Sequence, residues 1–171
     1  VLLFGPDAGL VSERAACAAA AIAGDSDPMN TVRLDGDVIA ADPARLADEA
    51  WTVAMFGGRR VLRVRLGARN VLPALEPLLA DPPRDAVVIL EAGDLKRGNA
   101  LRERIERAQG AWAVACYGDA ARDLDRLIES ELRAAGLSID RDARELLASL
   151  LGGDRLASRG EVQKLVLYAQ G

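Results

Sequence analysis

The feature that most constrains the fold is a regular alternation of short apolar segments with longer helical patterns. Five strand-like segments recur about every 25 to 30 residues, each followed by a helical pattern or a loop. The segments are Val1–Phe4, Thr31–Leu34, Arg59–Leu66, Ala86–Glu91 and Ala111–Tyr117. This rhythm is typical of βαβ units, so we predict an α/β fold with a mostly parallel five-stranded sheet and helices on both faces.

Helical patterns connect these segments. They cover about Asp7–Ala23, Asp42–Met55, Val71–Leu79 and Asn99–Ala108. Asp42 and Pro43 have the character of an N-cap followed by a proline in the first helical turn.

After Gly118 the pattern becomes purely helical. Three apolar stripes follow, made of Ala121, Leu124, Ile128 and Leu132, then of Ala143, Leu146, Leu147, Leu150 and Leu151, and then of Val162, Leu165, Val166 and Ala169. Asp140 is the predicted cap of the second helix, and Ser158–Glu161 has capping-box spacing for the third. We therefore predict an α/β domain at residues 1–118 and a three-helix lid domain at residues 119–171.

The stretch Ala50–Arg65, AWTVAMFGGRRVLRVR, carries the most suggestive side chains. It predicts the end of a helix, a stop at Gly57 and Gly58, and then a strand, because glycine adopts the positive φ that closes a helix. Met55 and Phe56 would then lie at the helix tip. A flexible thioether beside a large aromatic ring suits a pocket in a partner protein. The alternative is that both side chains cap the core at the helix end.

The connection after the first strand lies where a phosphate-binding loop belongs. Matched to the pattern G-x-x-x-x-G-K-[ST], Gly5 and Ser12 fit, whereas Leu10 replaces the second glycine. Val11 replaces the lysine that would place a cation on the β- and γ-phosphates. The matched segment contains Gly5, Pro6, Asp7, Leu10, Val11 and Ser12. It predicts a fold of the nucleotide-binding type that no longer uses nucleotide. Asp7 adds negative charge at the position where a phosphate anion would lie.

Composition excludes several kinds of site. The chain of 171 residues contains no histidine, which removes histidine-based catalysis and metal ligation. Its formal net charge of −4 argues against a protein built mainly to grip nucleic acid. Glu91 ends the fourth strand without a second carboxylate beside it. We interpret Cys17 and Cys116 as reduced thiols in the core.

Four segments, in order along the whole chain, carry a resemblance to a known family. They are Leu3–Asp7 (LFGPD), Val32–Asp37 (VRLDGD), Met55–Arg60 (MFGGRR) and Gly152–Ser158 (GGDRLAS). Together with the failed phosphate loop and the helical lid, they resemble the delta subunits of bacterial DNA polymerase III, in the clamp-loader branch of the AAA+ proteins.

The resemblance implies an AAA+-like fold and a role in DNA replication. Delta subunits bind the ring-shaped sliding clamp, the beta subunit, and open it for loading onto primed DNA, without hydrolysing ATP themselves. The implied partners are the clamp and the gamma/tau and delta-prime types of loader subunit. The resemblance also implies that the chain is a cytoplasmic component of a DNA-directed DNA polymerase, which is a nucleotidyltransferase complex. It has no catalytic residue, cofactor, metal or membrane contact of its own.

The family's C-terminal collar domain has no counterpart here, so we expect the chain to be monomeric in isolation. The family's clamp-binding element is a hydrophobic pair, usually Leu-Phe, at a helix end before a Gly-rich turn. Met55 and Phe56 match this pair, with methionine in place of leucine, and Gly57 and Gly58 match the turn. Trp51, one helical turn back, either buttresses the tip or belongs to the core.

Other charged residues allow two interpretations. Arg59 and Arg60 either add rim charge facing an acidic clamp or are solvated. A basic helical region either forms i,i+4 ion pairs on an exposed helix or faces DNA. That region contains Lys96, Arg97, Arg102, Arg104 and Arg107, with Glu103 and Glu106 interleaved. Arg155 and Arg159 are expected to be structural or to pack against a neighbouring subunit.

Two other functions are compatible with the sequence. One is a nucleotide-dependent AAA+ ATPase with an atypical phosphate loop. The other is a scaffold subunit that never touches the clamp, and it predicts that Met55 and Phe56 are buried.

Overall fold

The structure is a computed structural model. It describes residues 1–24, 30–54, 57–117, 120–152 and 155–170, except for the side chains of residues 120–122. The chain divides into two compact units, Val1–Cys116 and Tyr117–Gly171. The first is an α/β unit and the second is helical.

The α/β unit alternates strands and helices, as the sequence predicts. Its elements are β1 (Leu2–Phe4), α1 (Ala8–Ala23), β2 (Thr31–Asp35), α2 (Gly36–Ala41), α3 (Ala44–Trp51), β3 (Arg60–Arg65), α4 (Leu72–Ala80), β4 (Ala86–Ala92), α5 (Ala100–Arg107) and β5 (Ala113–Ala115). The five strands form one sheet in the order β2-β3-β4-β1-β5. Every strand pair is parallel, and Leu3 in β1, which lies between β4 and β5, is opposite Glu91 on one side and Val114 on the other. The predicted parallel α/β sheet is confirmed.

Helices cover both faces of the sheet. Helix α1 packs on one face, where Val11 and Ala15 meet Leu3, Val61 and Ile89. The other face holds the larger core, to which helices α2 to α5 contribute. Its members include Ile39, Leu46, Leu75 and Ile105 from the helices and Leu2, Phe4, Leu62, Val64 and Leu90 from the strands.

The helical unit contains α6 (Ala120–Ala134), α7 (Arg141–Leu150) and α8 (Arg155–Ala169). Its core joins one residue from each helix, namely Ile128, Leu147 and Val162. Within the described parts of the chain, every helix is too short or too polar to cross a bilayer.

Polar side chains cap several of the described helices, and the cap predicted at Asp140 is confirmed. The Asp7 carboxylate accepts a hydrogen bond from the backbone N–H of Leu10, at 2.9 Å. The Asp140 carboxylate accepts one from the backbone N–H of Ala143, at 2.8 Å. Asn99 accepts bonds from the backbone of two residues in the first turn of α5. These side chains satisfy amide groups that a helix N-terminus would otherwise leave unpaired.

Other predicted helix boundaries are wrong. Helix α3 begins at Ala44 without a side-chain cap, so Asp42 does not cap it. Helix α8 begins at Arg155, which places Ser158 inside the helix and buries it, so the predicted capping box does not form. The six-residue helix α2 was not predicted, because Gly36–Ala41 is too short to show a helical period.

Two smaller predictions also need correction. Cys116 is buried as predicted, but Cys17 is exposed on α1, because it lies on the side of the helix that faces away from the sheet. The fifth strand spans only Ala113–Ala115, which leaves Trp112 about two-thirds exposed.

Candidate functional site

The loop between α3 and β3 is the first candidate site, because the sequence places its most suggestive residues there. Helix α3 ends at Trp51 rather than near Met55. The hydroxyl of Thr52 donates to the carbonyl oxygen of Asp48, at 2.6 Å, and Thr52 itself is extended, with ψ 128°. Thr52 and Val53 are β-branched and favour an extended backbone, which explains the early end.

Apolar side chains at this helix end face solvent. Trp51 is 47% exposed and Val53 is 83% exposed. Exposed large apolar groups that lie close together are a common mark of a protein-binding surface. Met55 and Phe56 lie outside the described residues. Val53 was not singled out from the sequence, because the predicted helix gave it no special position.

Gly57 and Gly58 both have positive φ, at 73° and 84°. Only glycine adopts this conformation without strain, as the sequence predicts, but here it serves a loop and not a helix cap. The N–H of Gly57 donates to the carbonyl oxygen of Ala54, at 3.2 Å. The chain on the two sides of residues 55 and 56 is therefore drawn together.

The two arginines after the glycines have different surroundings. Arg59 is exposed. Arg60 instead forms an ion pair with Glu49 in the last turn of α3, with Nη2 and Oε2 2.7 Å apart and the arginine side chain 13% exposed. The two interpretations of Arg60 from the sequence, rim charge and solvation, are therefore wrong, because its guanidinium pairs with Glu49 within the α/β unit.

The predicted phosphate loop has a compact geometry. Helix α1 begins at Ala8, so only Gly5, Pro6 and Asp7 connect it to β1. A phosphate loop instead needs a longer segment whose backbone amides surround the phosphate. Leu10 and Val11 lie inside the helix and in the core, 5% and 2% exposed. The carboxylate of Asp7 occupies the helix N-terminus, where an anion would otherwise bind.

Gly5 is held against the neighbouring strand. A β-carbon added there would lie 2.5 Å from the carbonyl oxygen of Cys116. Its N–H donates to the carbonyl oxygen of Gly93, at 3.2 Å. This glycine is required for close packing between backbones, which is a sufficient reason for its presence in this connection.

The remaining residue of the predicted loop, Ser12, contacts a buried cation. The guanidinium of Arg63 pairs with Glu91, with Nη2 and Oε1 2.7 Å apart. The same Nη2 donates to the carbonyl oxygen of Ser12 at 3.1 Å and to its hydroxyl at 3.3 Å. Arg63 was not predicted from the sequence to have a role. A buried, paired charge could have been suspected there, because the residue lies between the apolar Leu62 and Val64 in a strand with few exposed positions.

The basic helix α5 pairs its charges within the unit. Arg102 pairs with Glu106 and Arg107 with Glu103, each four residues apart. Arg104 makes a two-bond contact with Glu76 on α4, at 2.9 and 2.7 Å, and this hydrogen bonding lowers the pKa of the Glu76 carboxyl. The structure therefore favours the exposed, ion-paired helix over a surface that faces DNA.

In the helical unit, Arg159 pairs with Glu131 at 2.9 Å, and Arg155 donates to the carbonyl oxygen of Asp123 at 3.0 Å. Both contacts are structural, which was one of the two expectations. Across the described residues, no three acidic or cysteine side chains converge as a metal site would need.

The comparisons with known proteins support the fold. No protein-family model matches the chain, and no curated protein does. The solved DNA clamp loader delta protein of Bacillus subtilis has a TM-score of 0.59 at 19% identity, over 98% of this chain and 52% of that one. A DNA polymerase III gamma subunit-related protein of Thermotoga maritima has a TM-score of 0.55 at 17% identity, over 92% of this chain and 54% of that one. The chain therefore spans about half the length of these two structures, and it shares their fold.

Proposed function

We propose that this chain acts as a delta-type clamp-loader subunit, which binds the sliding clamp and opens its ring without hydrolysing ATP. The observation that carries the proposal is the exposed apolar end of α3. There Trp51 and Val53 face solvent just before two glycines with positive φ. This surface belongs to a chain that shares its fold with a clamp loader delta protein over almost its whole length.

Met55 and Phe56 are the proposed anchors on the clamp. In the sequence they stand between the exposed Val53 and Gly57, both of which the structure describes. A large aromatic side chain that fills an apolar pocket is a common hot spot of protein interfaces. Trp51, half-exposed at the end of α3, adds contact area at the margin.

Differential binding is the proposed mechanism of opening. A subunit that binds the open clamp more tightly than the closed clamp shifts the ring towards opening by the difference in binding free energy. No chemical step is needed for this shift. ATP hydrolysis is assigned to other subunits of the loader.

The geometry around Asp7 supports the assignment of hydrolysis elsewhere. The connection from β1 to α1 is short, its helix N-terminus is occupied by a carboxylate, and the position of the usual lysine is a buried valine. A nucleotide would have no loop to surround its phosphates and no lysine to neutralise them. This combination counts against the rival ATPase function.

The proposed partners are the clamp, the gamma/tau and delta-prime types of loader subunit and, through the assembled loader, primed DNA. The proposed setting is cytoplasmic DNA replication, within the DNA polymerase III holoenzyme.

Clamp binding by the parent chain and by the double variant Met55→Ala/Phe56→Ala tests the proposal. If each anchor is worth about 2 kcal/mol, the double variant should lose binding by roughly a hundredfold or more while its thermal stability is unchanged. A matched control is Leu150→Ala, which removes an apolar side chain, 74% exposed, from the helical unit.

Three outcomes would count against the proposal. Unchanged clamp binding by the double variant would move the contact elsewhere. Unfolding of the double variant would favour the scaffold function. Micromolar binding of ATP with Mg²⁺ by the parent chain would favour the ATPase.

A further inference from the structure

Asn30 connects the start of β2 to the candidate surface. It immediately precedes β2 and is 6% exposed, and its side-chain Nδ2 donates to the carbonyl oxygen of Gly57, at 2.9 Å. A buried amide is costly unless it is hydrogen-bonded, so the partner of this one is informative. The bond fixes the backbone at Gly57, on the far side of the proposed anchors.

The ion pair between Glu49 and Arg60 fixes both ends of the same segment. Glu49 lies in the last turn of α3 and Arg60 is the first residue of β3, and their side-chain atoms are 2.7 Å apart. The segment between these elements, of which the structure describes residues 52–54 and 57–59, is called the docking loop below. Its base is closed by this pair, and its glycine turn is held by Asn30.

We propose that Asn30, Glu49 and Arg60 are positioning residues that hold the docking loop in the geometry needed for clamp binding. The inference rests on the proposed function. Ordering a loop on binding reduces affinity, so a loop whose ends are already fixed binds more tightly with the same contacts. None of the three residues needs to touch the clamp to have this effect.

Their surroundings point to a local role. The Glu49 side chain is about one-third exposed, and pairs that remain in contact with water contribute little to folding. Arg60 and Asn30 direct their donors to the docking loop or its base, not into either core cluster. Loss of these contacts should therefore loosen the loop more than it destabilises the unit.

Binding of the parent chain to a purified sliding clamp, followed by surface plasmon resonance, provides the test. Asn30→Ala and Glu49→Ala should each weaken binding by about five- to tenfold, mainly through faster dissociation. Their melting temperatures should stay within about 3 °C of the parent. The charge-reversed double variant Glu49→Arg/Arg60→Glu should restore most of the affinity that Glu49→Ala loses, because it rebuilds the pair.

A surface pair far along the chain is the matched control. Glu145 and Arg141 form an i,i+4 pair on α7, with both side chains more exposed than those of Glu49 and Arg60. Glu145→Ala should leave clamp affinity unchanged. Hydrogen exchange of the unbound chain adds a readout that needs no clamp, since Asn30→Ala and Glu49→Ala should accelerate exchange at residues 52–59 and not in β4.

The outcomes separate the two proposals. If the parent binds the clamp and depends on Met55 and Phe56, but Asn30→Ala and Glu49→Ala bind equally well, the positioning role is overturned and the function stands. Affinity that falls only in step with melting temperature, without rescue by the reversed pair, would also overturn it. Absence of clamp binding by the parent chain would overturn both.

Discussion

Arg63 and Glu91 form a buried ion pair between adjacent strands, with Nη2 and Oε1 2.7 Å apart. Their side chains are only 7% and 10% exposed. Arg63 reaches across to Ser12 as well, so one guanidinium joins β3, β4 and α1. In a nucleotide-binding protein of this frame, a metal ion bound to the nucleotide would contact the serine hydroxyl. Here the positively charged group that contacts the hydroxyl of Ser12 is the guanidinium of Arg63.

Replacing Arg63 should be strongly destabilising. Arg63→Met leaves the Glu91 carboxylate buried without its counter-charge, so we expect the free energy of unfolding to fall by about 3 to 5 kcal/mol. Urea denaturation followed by circular dichroism measures the change. The double variant Arg63→Met/Glu91→Leu should recover much of the loss, because no charge remains buried. A loss below about 1 kcal/mol for the single variant would show that water already compensates Glu91.

Gly5 should not tolerate a side chain. Gly5→Ala places a methyl group 2.5 Å from the carbonyl oxygen of Cys116, so backbone has to move and we expect a loss of about 1 to 3 kcal/mol. Gly93→Ala is the control, since a β-carbon there meets nothing within 4 Å. Equal denaturation midpoints for the two variants would contradict the close approach of β1 and β5.

Restoring the lysine of the phosphate-loop pattern should not restore nucleotide binding. Val11 is 2% exposed and packs between α1 and the sheet, so Val11→Lys buries an ammonium group or distorts the helix. We expect a lower melting temperature and no binding of ATP with Mg²⁺ in calorimetry. Val11→Ala separates the effect of lost packing from that of charge. Tight nucleotide binding by Val11→Lys would mean that the connection rearranges readily.

The two thiols should differ sharply in reactivity. Cys17 is exposed on α1, whereas Cys116 is fully buried between β5 and α1. A maleimide reagent should therefore add one label rapidly to the native chain, and a second label only in denaturant. Mass spectrometry of digested samples assigns the sites. Rapid double labelling without denaturant would show that β5 opens easily from the edge of the sheet.

The sheet could be predicted because its strands are short apolar runs separated by helical patterns. Ala86–Ala92 is the clearest case, since a run so apolar is expected only where both faces are covered. The cap at Asp140 could also be predicted, because short polar side chains at helix starts have a direct chemical role. Hydrophobic period and cap chemistry are local properties of the sequence.

The contacts around the docking loop could not be read in this way. Asn30 and Gly57 are 27 residues apart, and nothing in either local sequence indicates the other. The pairing of Arg63 with Glu91 similarly depends on the register of two strands. The end of α3 at Trp51 was misjudged for a different reason, because apolar residues continue past it and conceal the change to an extended backbone.

The position of β1 in the sheet has a consequence for synthesis. β1 precedes the other four strands of the sheet in the chain, yet it pairs with β4 and β5, the last two strands of the α/β unit. Its apolar residues therefore emerge long before either neighbour exists, and contacts so distant in sequence form slowly. The sheet can close only after Ala115 has left the exit tunnel. Until then the nascent chain exposes the apolar residues of β1, Leu2, Leu3 and Phe4, which are buried once the sheet has formed.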